Sequence, residues 1–367
     1  MRIALLHDYL NQLGGGERVL EELVRLFPKA PIYTLFYDGV RTQNRFSESI
    51  IHTSFLQHIP NVARYHHAVI PLMPRAAENL HVHDVDVVFS DSSGYAKGIN
   101  VDPGILHINY CYTPIRYAWE DEYLNTHRLF KYLRHGIKPI LSHLRKWDRY
   151  TSTLPHEMYA VSAHIAKKIK LHYDRDVGVL YPPARTDFFH PTREKENFYL
   201  AVGRMLHYKR FDLIVSAFNT LGFPLKIIGS GPEFNTLRAM AHANIEFLGR
   251  VPDETLRDYY SSARALIFPQ QEDFGLVAVE ALSCGTPVIA FRRGGGPEEI
   301  IEEKKNGLFF EEQTVESLLT TIRTFEKNNF SGEVCRVSAL RFSPEQFKTR
   351  VNFIISNAMK YFYEDRF

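Results

Sequence analysis

Between Phe198 and Ala290 the chain repeats one pattern: a short apolar run, a turn rich in Gly or Pro, then a stretch with helical periodicity. The apolar runs are Phe198–Val202, Leu225–Ile228, Ala265–Phe268 and Pro287–Ala290. Each is short enough to be a strand and is separated from the next by enough chain for a crossover helix, which makes neighbouring strands parallel. A parallel sheet is covered by helices on both faces, so this half reads as a doubly wound α/β domain.

The first half repeats the pattern with more interruptions. Ile3–Leu6 reads as a strand and Glu17–Phe27 as an amphipathic helix, with further strands at Val85–Phe89, Ile105–Asn109, Met158–Val161 and Val177–Leu180. Residues 181–197, YPPARTDFFHPTREKEN, have prolines, charge and no periodicity, which marks a linker. A length of 367 residues favours two domains. The expected division is 1–185, 186–345 and a closing segment 346–367, an apolar-periodic helix that returns to the first domain. Two such domains facing one another bring the carboxyl ends of both sheets to one cleft, where ligands of this fold class bind.

Composition excludes several classes. Lys plus Arg is 44 against Asp plus Glu at 42, and the net charge of +2 gives no reason to expect a nucleic-acid partner. Three cysteines are no disulfide framework and fit a reducing, cytoplasmic setting. The opening MRIALLHDYLNQLGGG does not read as a signal peptide, and no apolar run reaches the roughly 18 to 20 residues of a membrane span.

The chemistry concentrates at strand ends. In AVGRMLHYKRFDLIV, Gly203 follows a strand, and Arg204 and Lys209 occupy the loop before a helix, where two cations suit a diphosphate or are simply solvated. Gly14-Gly15-Gly16, in the matching element of the first domain, lets backbone approach a ligand or is a plain flexible turn. IGSGPE, with Ser230, is another strand–glycine–helix junction. Phe274, Gly275, Leu276 and Val277 stand where a helix begins, so their N–H groups can hold phosphate. Glu272 and Glu280 flank that turn, and carboxylates there make sense as acceptors from neutral hydroxyls at the two ends of a sugar nucleotide. The competing reading is one surface glutamate and one capping glutamate.

EDFGLVAVEALSCGTPVIA resembles the E-x7-E signature of retaining glycosyltransferases of the GT-B fold, of the family 4 type. The resemblance runs in order through GRMLHYKRFDLIV, IGSGPE, FLGRVPDETLRDYYSSARALIFPQ and GGGPEEII. LLHDYLNQLGGGERVL, YTPIRYAWEDEY and YPPARTDFF are similar to bacterial O-antigen and exopolysaccharide mannosyltransferases. It implies donor-diphosphate cations at Arg204 and Lys209, a carboxylate on the transferred sugar at Glu272, and a ribose ligand at Glu280. Gly15 and Gly16 would back the donor phosphate, Gly203 and Ser230 would line the donor site, and the backbone at Arg250-Val251 would meet the base. Asp8, Tyr9 and Arg116 fall on the acceptor side. One departure stands out: where CHTP is common, this chain reads CYTP, with Tyr112. A phenol donates a hydrogen bond but is no base near neutral pH, so the assisting group is open among Tyr112, Asp8, His7 and Arg116.

What the resemblance implies is transfer of mannose from GDP-mannose, with retention and without metal, to a glycan or lipid-linked acceptor in surface-polysaccharide synthesis. A UDP-sugar-dependent transferase, a sugar-nucleotide epimerase and a non-catalytic sugar-nucleotide binder are the alternatives. The glycine spacing does not fit a nicotinamide enzyme. His81, His83, Asp84 and Asp86 have metal-like spacing but read better as polar residues at a strand edge. Residues 127–150 interleave Lys and Arg with apolar and aromatic side chains, and are expected to touch an anionic membrane at its cytoplasmic face, the alternative being an ordinary amphipathic helix with a solvated basic face.

Overall fold

The structure, a computed structural model, describes residues 1–120, 138–293 and 295–364. The chain divides into two compact units, Met1–Pro182 with Phe347–Phe367, and Pro183–Gln346. Each is a parallel sheet wound with helices.

The first unit contains β1 (Ile3–His7), β2 (Ile32–Thr34), β3 (Ile51–Thr53), β5 (Val87–Ser92), β7 (Leu106–Cys111), β8 (Glu157–Ala160) and β9 (Gly178–Val179), with a separate pair β4 (His81–Val82) and β6 (Asn100–Val101). The large sheet has the order β3-β2-β1-β5-β7-β8-β9, and its paired strands run parallel. All five residues of β1 are buried, the mark of a strand covered on both faces. The helix Gly15–Leu26 buries Val19, Leu20 and Leu23 against that sheet, as its apolar period predicts. From Phe347 onward the last helix, Pro344–Glu364, belongs to this unit: Phe347, Val351, Ile354, Ile355 and Ala358 lie in one core with Leu5, Ile108 and Met158.

The second unit contains β10 (Tyr199–Val202), β11 (Leu225–Ile228), β12 (Ile245–Gly249), β13 (Leu266–Phe268), β14 (Val288–Phe291) and β15 (Gly307–Phe310). Its order is β12-β11-β10-β13-β14-β15. In both sheets the winding direction reverses beside the first strand, at β1/β5 and at β10/β13, and the ligand crevice of such folds lies outside the strand ends near that switch.

Two expectations shift. The strand read at Val85–Phe89 runs from Val87 through Ser90, Asp91 and Ser92, all buried. A polar strand end is invisible to hydrophobic periodicity, yet here Ser90 Oγ has a hydrogen-bonding partner in His107 Nε2 at 2.8 Å. The basic segment 127–150 lies outside the described residues as far as 137. Its remainder forms the helix Lys138–Thr151, whose Leu141, Leu144 and Trp147 are packed in the core; Lys138, Lys146, Arg149 and Tyr150 face outward. The interleaved apolar residues of this part therefore serve folding, and only its basic side is open to a surface.

Candidate functional site

In the second unit, a pocket of about 260 Å³ opens off the carboxyl ends of β10, β11 and β12. Val202, Gly203 and Arg204 form one wall, Ile228, Gly229 and Ser230 the next, and Arg250 and Val251 the third. Five residues expected at a donor site, Gly203, Arg204, Ser230, Arg250 and Val251, thus meet in one place. Gly229 is a glycine for steric reasons: a Cβ there would lie 1.9 Å from the carbonyl oxygen of Gly203. Arg204 is exposed at the mouth, and Arg250 Nε donates to Ser230 Oγ at 2.9 Å.

Lys209 borders this pocket, since its Nζ lies 3.8 Å from where a Cβ of Gly203 would be. Its ammonium donates to Glu272 Oε1 at 2.6 Å, with both side chains largely shielded. The cation and the carboxylate that the sequence motifs separate by 63 positions are thus in direct contact. Gly296 N–H donates to the Glu272 carbonyl at 3.0 Å, which holds the turn in place.

The turn continues through Phe274, whose ring packs edge-on against Phe342 at 5.3 Å, and Gly275, the N-cap residue of the helix Leu276–Ser283. Leu276 and Val277 open that helix, so their amides lie where intrahelical acceptors are lacking. Glu280 sits deeper than its expected ribose role suggests. It is only 7% exposed and accepts from the Tyr260 hydroxyl at 3.1 Å. Tyr260 had no part in the sequence reading, because its partnership with Glu280 joins two helices and leaves no trace in spacing.

In the first unit, His7 and Asp91 are register partners across β1 and β5, and His7 Nδ1 hydrogen-bonds Asp91 Oδ1. Both are buried. Burial alone would push the imidazole pKa down, but the charge and hydrogen bond of Asp91, with Glu17 and Asp8 nearby, outweigh it and hold His7 at about 9. Burial drives Asp8, Glu17 and Asp91 above the usual carboxylate range. Gly16 closes on this group: a Cβ there would be 3.2 Å from the Tyr112 ring and 3.7 Å from His7 Cε1.

Several first-unit candidates have protein partners of their own. The Tyr112 hydroxyl donates to the Gly16 carbonyl at 3.3 Å, and burial holds its pKa well above that of a free phenol, so it is neither a base nor a free donor. Asp8 uses both oxygens on backbone: Ser93 N at 2.6 Å, Tyr95 N at 2.8 Å and Ala96 N at 2.7 Å. It ties down the turn after β5 rather than presenting a carboxylate to an acceptor. Beside Gly15, Glu17 accepts from the Gly14 N–H at 2.8 Å. Tyr9 stacks on Phe36 with ring centroids 5.3 Å apart, and Arg116 lies 4.0 Å from Glu120.

The metal-like spacing near residue 81 resolves into separate pairs. His81 joins Asp102, His83 joins Asp84 and Asp86 joins Arg2. Among the described residues no group of three or more His, Cys, Asp or Glu side chains is placed to hold a metal ion, and no helix is long and apolar enough to cross a membrane.

Similarity to known proteins falls on the same features. The family model described as glycosyl transferases group 1 matches residues 184–339, nearly all of the second unit. An uncharacterized glycosyltransferase of Methanocaldococcus jannaschii is 28% identical over 211 residues, which is 55% of this chain and 60% of that protein. The D-rhamnosyltransferase WbpZ of Pseudomonas aeruginosa is 34% identical over 137 residues, covering 35% of this chain and 36% of the relative. The chain thus spans less than two thirds of the length of these curated relatives. The crystal structure of Anabaena HepE in complex with UDP and glucose aligns over 97% of this chain and 99% of its own, with a TM-score of 0.70 at 15% identity. The fold is therefore the α/β GT-B fold with parallel sheets, and residues 184–339 carry the match to group 1 glycosyl transferases.

Proposed function

We propose that this chain is a retaining glycosyltransferase. It takes a hexose from a nucleotide donor, mannose from GDP-mannose being the first choice, and moves it to a hydroxyl of a glycan or lipid-linked glycan. One observation carries the reading: Lys209 and Glu272 touch beside a glycine-walled pocket that also holds Arg204 and Arg250. A diphosphate needs cations and a hexose needs hydroxyl acceptors, and a point where the two meet is what a phosphate–sugar junction requires.

As the glycosidic bond breaks, charge builds on the departing phosphate. Lys209, Arg204 and the amides that open the helix at Leu276 stabilise it, the largest catalytic effect available to such a site. Glu272 then turns from Lys209 to the sugar hydroxyls. The leaving phosphate itself takes the acceptor proton, and no resident metal takes part. The outward-facing Lys138, Lys146 and Arg149 support a place at the cytoplasmic face of the membrane, where lipid-linked acceptors are found.

A panel of GDP-, UDP- and ADP-hexoses tests the reading by thermal shift, because a ligand at 100 times its Kd stabilises by about 2.7 kcal/mol. The donor that shifts the midpoint is then incubated with and without a glycan acceptor. Transfer only with acceptor is the expected result. Conversion of the sugar without acceptor indicates an epimerase, and binding without any conversion indicates a sensor.

A further inference from the structure

We propose that Arg250 reads the base of the nucleotide and selects guanosine. The inference rests on the glycosyltransferase reading and assigns to one side chain a choice of donor that the motifs leave open.

The backbone goes out of its way to aim this residue. β12 is the edge strand of its sheet. Its pairing with β11 slips at the end: Ile227 is opposite Phe247, but Ile228 is opposite Gly249, so Leu248 is an extra residue. Such a bulge bends an edge strand and redirects the side chain that follows. Gly249 then adopts φ 70°, the left-handed conformation, and a Cβ there would meet nothing within 4 Å. The glycine is needed for the turn and not for space. Gly229 N–H donates to the Gly249 carbonyl at 2.7 Å, which locks the turned strand to the next loop. Arg250 emerges into the pocket, and Ser230 holds its Nε. Among the described residues neither of its terminal nitrogens has a protein partner.

A guanidinium fastened at Nε presents a planar fork of donors in a fixed direction. Guanine matches a fork with two adjacent acceptors, O6 and N7; adenine puts a donor beside N7, and uracil has no acceptor adjacent to O4. Charge on the diphosphate is already met by Arg204 and Lys209, so Arg250 is left for the base. A lysine in its place would keep the charge and lose the fork.

Calorimetric titration of GDP, UDP, ADP and CDP into the wild-type chain, Arg250→Lys and Ser230→Ala is the test. All four ligands share the diphosphate, so their ratios isolate the base. GDP is expected to bind the wild type roughly 5- to 150-fold tighter than UDP and ADP, the discrimination of one bidentate pair. Arg250→Lys should bring GDP and UDP within about threefold of each other, and Ser230→Ala should fall between. CDP enters as a control because cytosine also has two adjacent acceptors, O2 and N3. Wild-type preference for UDP, ADP or CDP overturns the assignment while leaving a nucleotide-dependent transferase standing. Equal weakening of all four ligands in Arg250→Lys also overturns it, since that marks a phosphate contact. Failure of every nucleotide to bind the folded wild type removes the functional reading as well.

Discussion

Lys209 Nζ lies 2.6 Å from Glu272 Oε1, so the group suited to phosphate and the group suited to sugar neutralise each other. The pair keeps two charges satisfied in a partly shielded place, and a donor must replace each half with something equivalent. A phosphate for the lysine and hydroxyls for the glutamate do so together. A bare nucleotide supplies only the first.

Lys209→Ala is therefore expected to lower kcat by about 100-fold or more, the scale on which transition-state charge stabilisation is lost. Partial exposure on both sides limits the structural cost to about 1 kcal/mol. Turnover with the best donor, alongside a melting curve, checks both. Near-normal transfer by a folded variant removes Lys209 from the mechanism.

Glu280 offers a cleaner separation through its partner. Glu280→Gln keeps an acceptor for Tyr260, so its melting temperature should stay close to wild type. Its nucleotide affinity should fall about 10-fold, because hydrogen bonds to a charged acceptor are stronger than those to an amide. Glu280→Ala should lose the same affinity and in addition about 1–3 kcal/mol of stability, having left the buried Tyr260 hydroxyl without this partner. Unchanged affinity in both variants argues against the ribose contact.

His7 makes stability depend on pH. Its pKa is about 9 when folded against 6.5 in the unfolded chain, so the folded state binds this proton more tightly. The stabilisation is complete below pH 6.5 and is lost as pH rises through 9. Asp8, Glu17 and Asp91 are also shifted upward, mainly by burial, and their effect has the same sign at lower pH. Urea unfolding at pH 6 and pH 9.5 should differ by up to about 3 kcal/mol in favour of the lower pH. The His7→Gln variant should lose most of that difference. A wild-type stability flat over this range contradicts the buried charge at His7.

Asp148 gathers several buried donors in the first unit. It is fully buried and accepts from Lys97 Nζ at 2.5 Å, Trp119 Nε1 at 2.7 Å, the Tyr173 hydroxyl at 2.8 Å and Ile115 N at 3.3 Å. Asp148→Ala should destabilise by about 3–5 kcal/mol by leaving the Lys97 charge unpaired in the core. Lys97→Met combined with Asp148→Leu should cost less than Asp148→Ala alone, despite changing two residues. Denaturant midpoints of the three chains decide this, and a milder loss in the single variant would show that water reaches Lys97.

Strands β1, β10, β13 and β14 could be read from the chain because each is built on a continuous apolar run hidden on both faces, and β11 was legible although Lys226 interrupts it. β2 and β3 could not, being three residues long and ending in a polar Thr, whereas β9 lies inside the run Val177–Leu180 that reads as a strand. The second-unit site was legible for a similar reason. Gly203, Arg204 and Ser230 lie within two residues of strands that the chain discloses, and parallel topology gathers strand ends; Arg250 and Val251 follow β12, which was not read, and came only from the family resemblance.

The amino-acid order by itself determined the parallel winding, the glycine junctions and the residue types available to a sugar nucleotide, since periodicity and turn chemistry are local properties of a chain. Only tertiary structure decided which of those groups remain at liberty. The Tyr112 hydroxyl hydrogen-bonds the Gly16 carbonyl, Asp8 spends both oxygens on backbone, and a one-residue slip in an edge strand swings Arg250 toward Ser230. Hydrogen-bonding capacity is consumed by whichever partner packing brings near, and that partner lies here between 20 and 96 residues away.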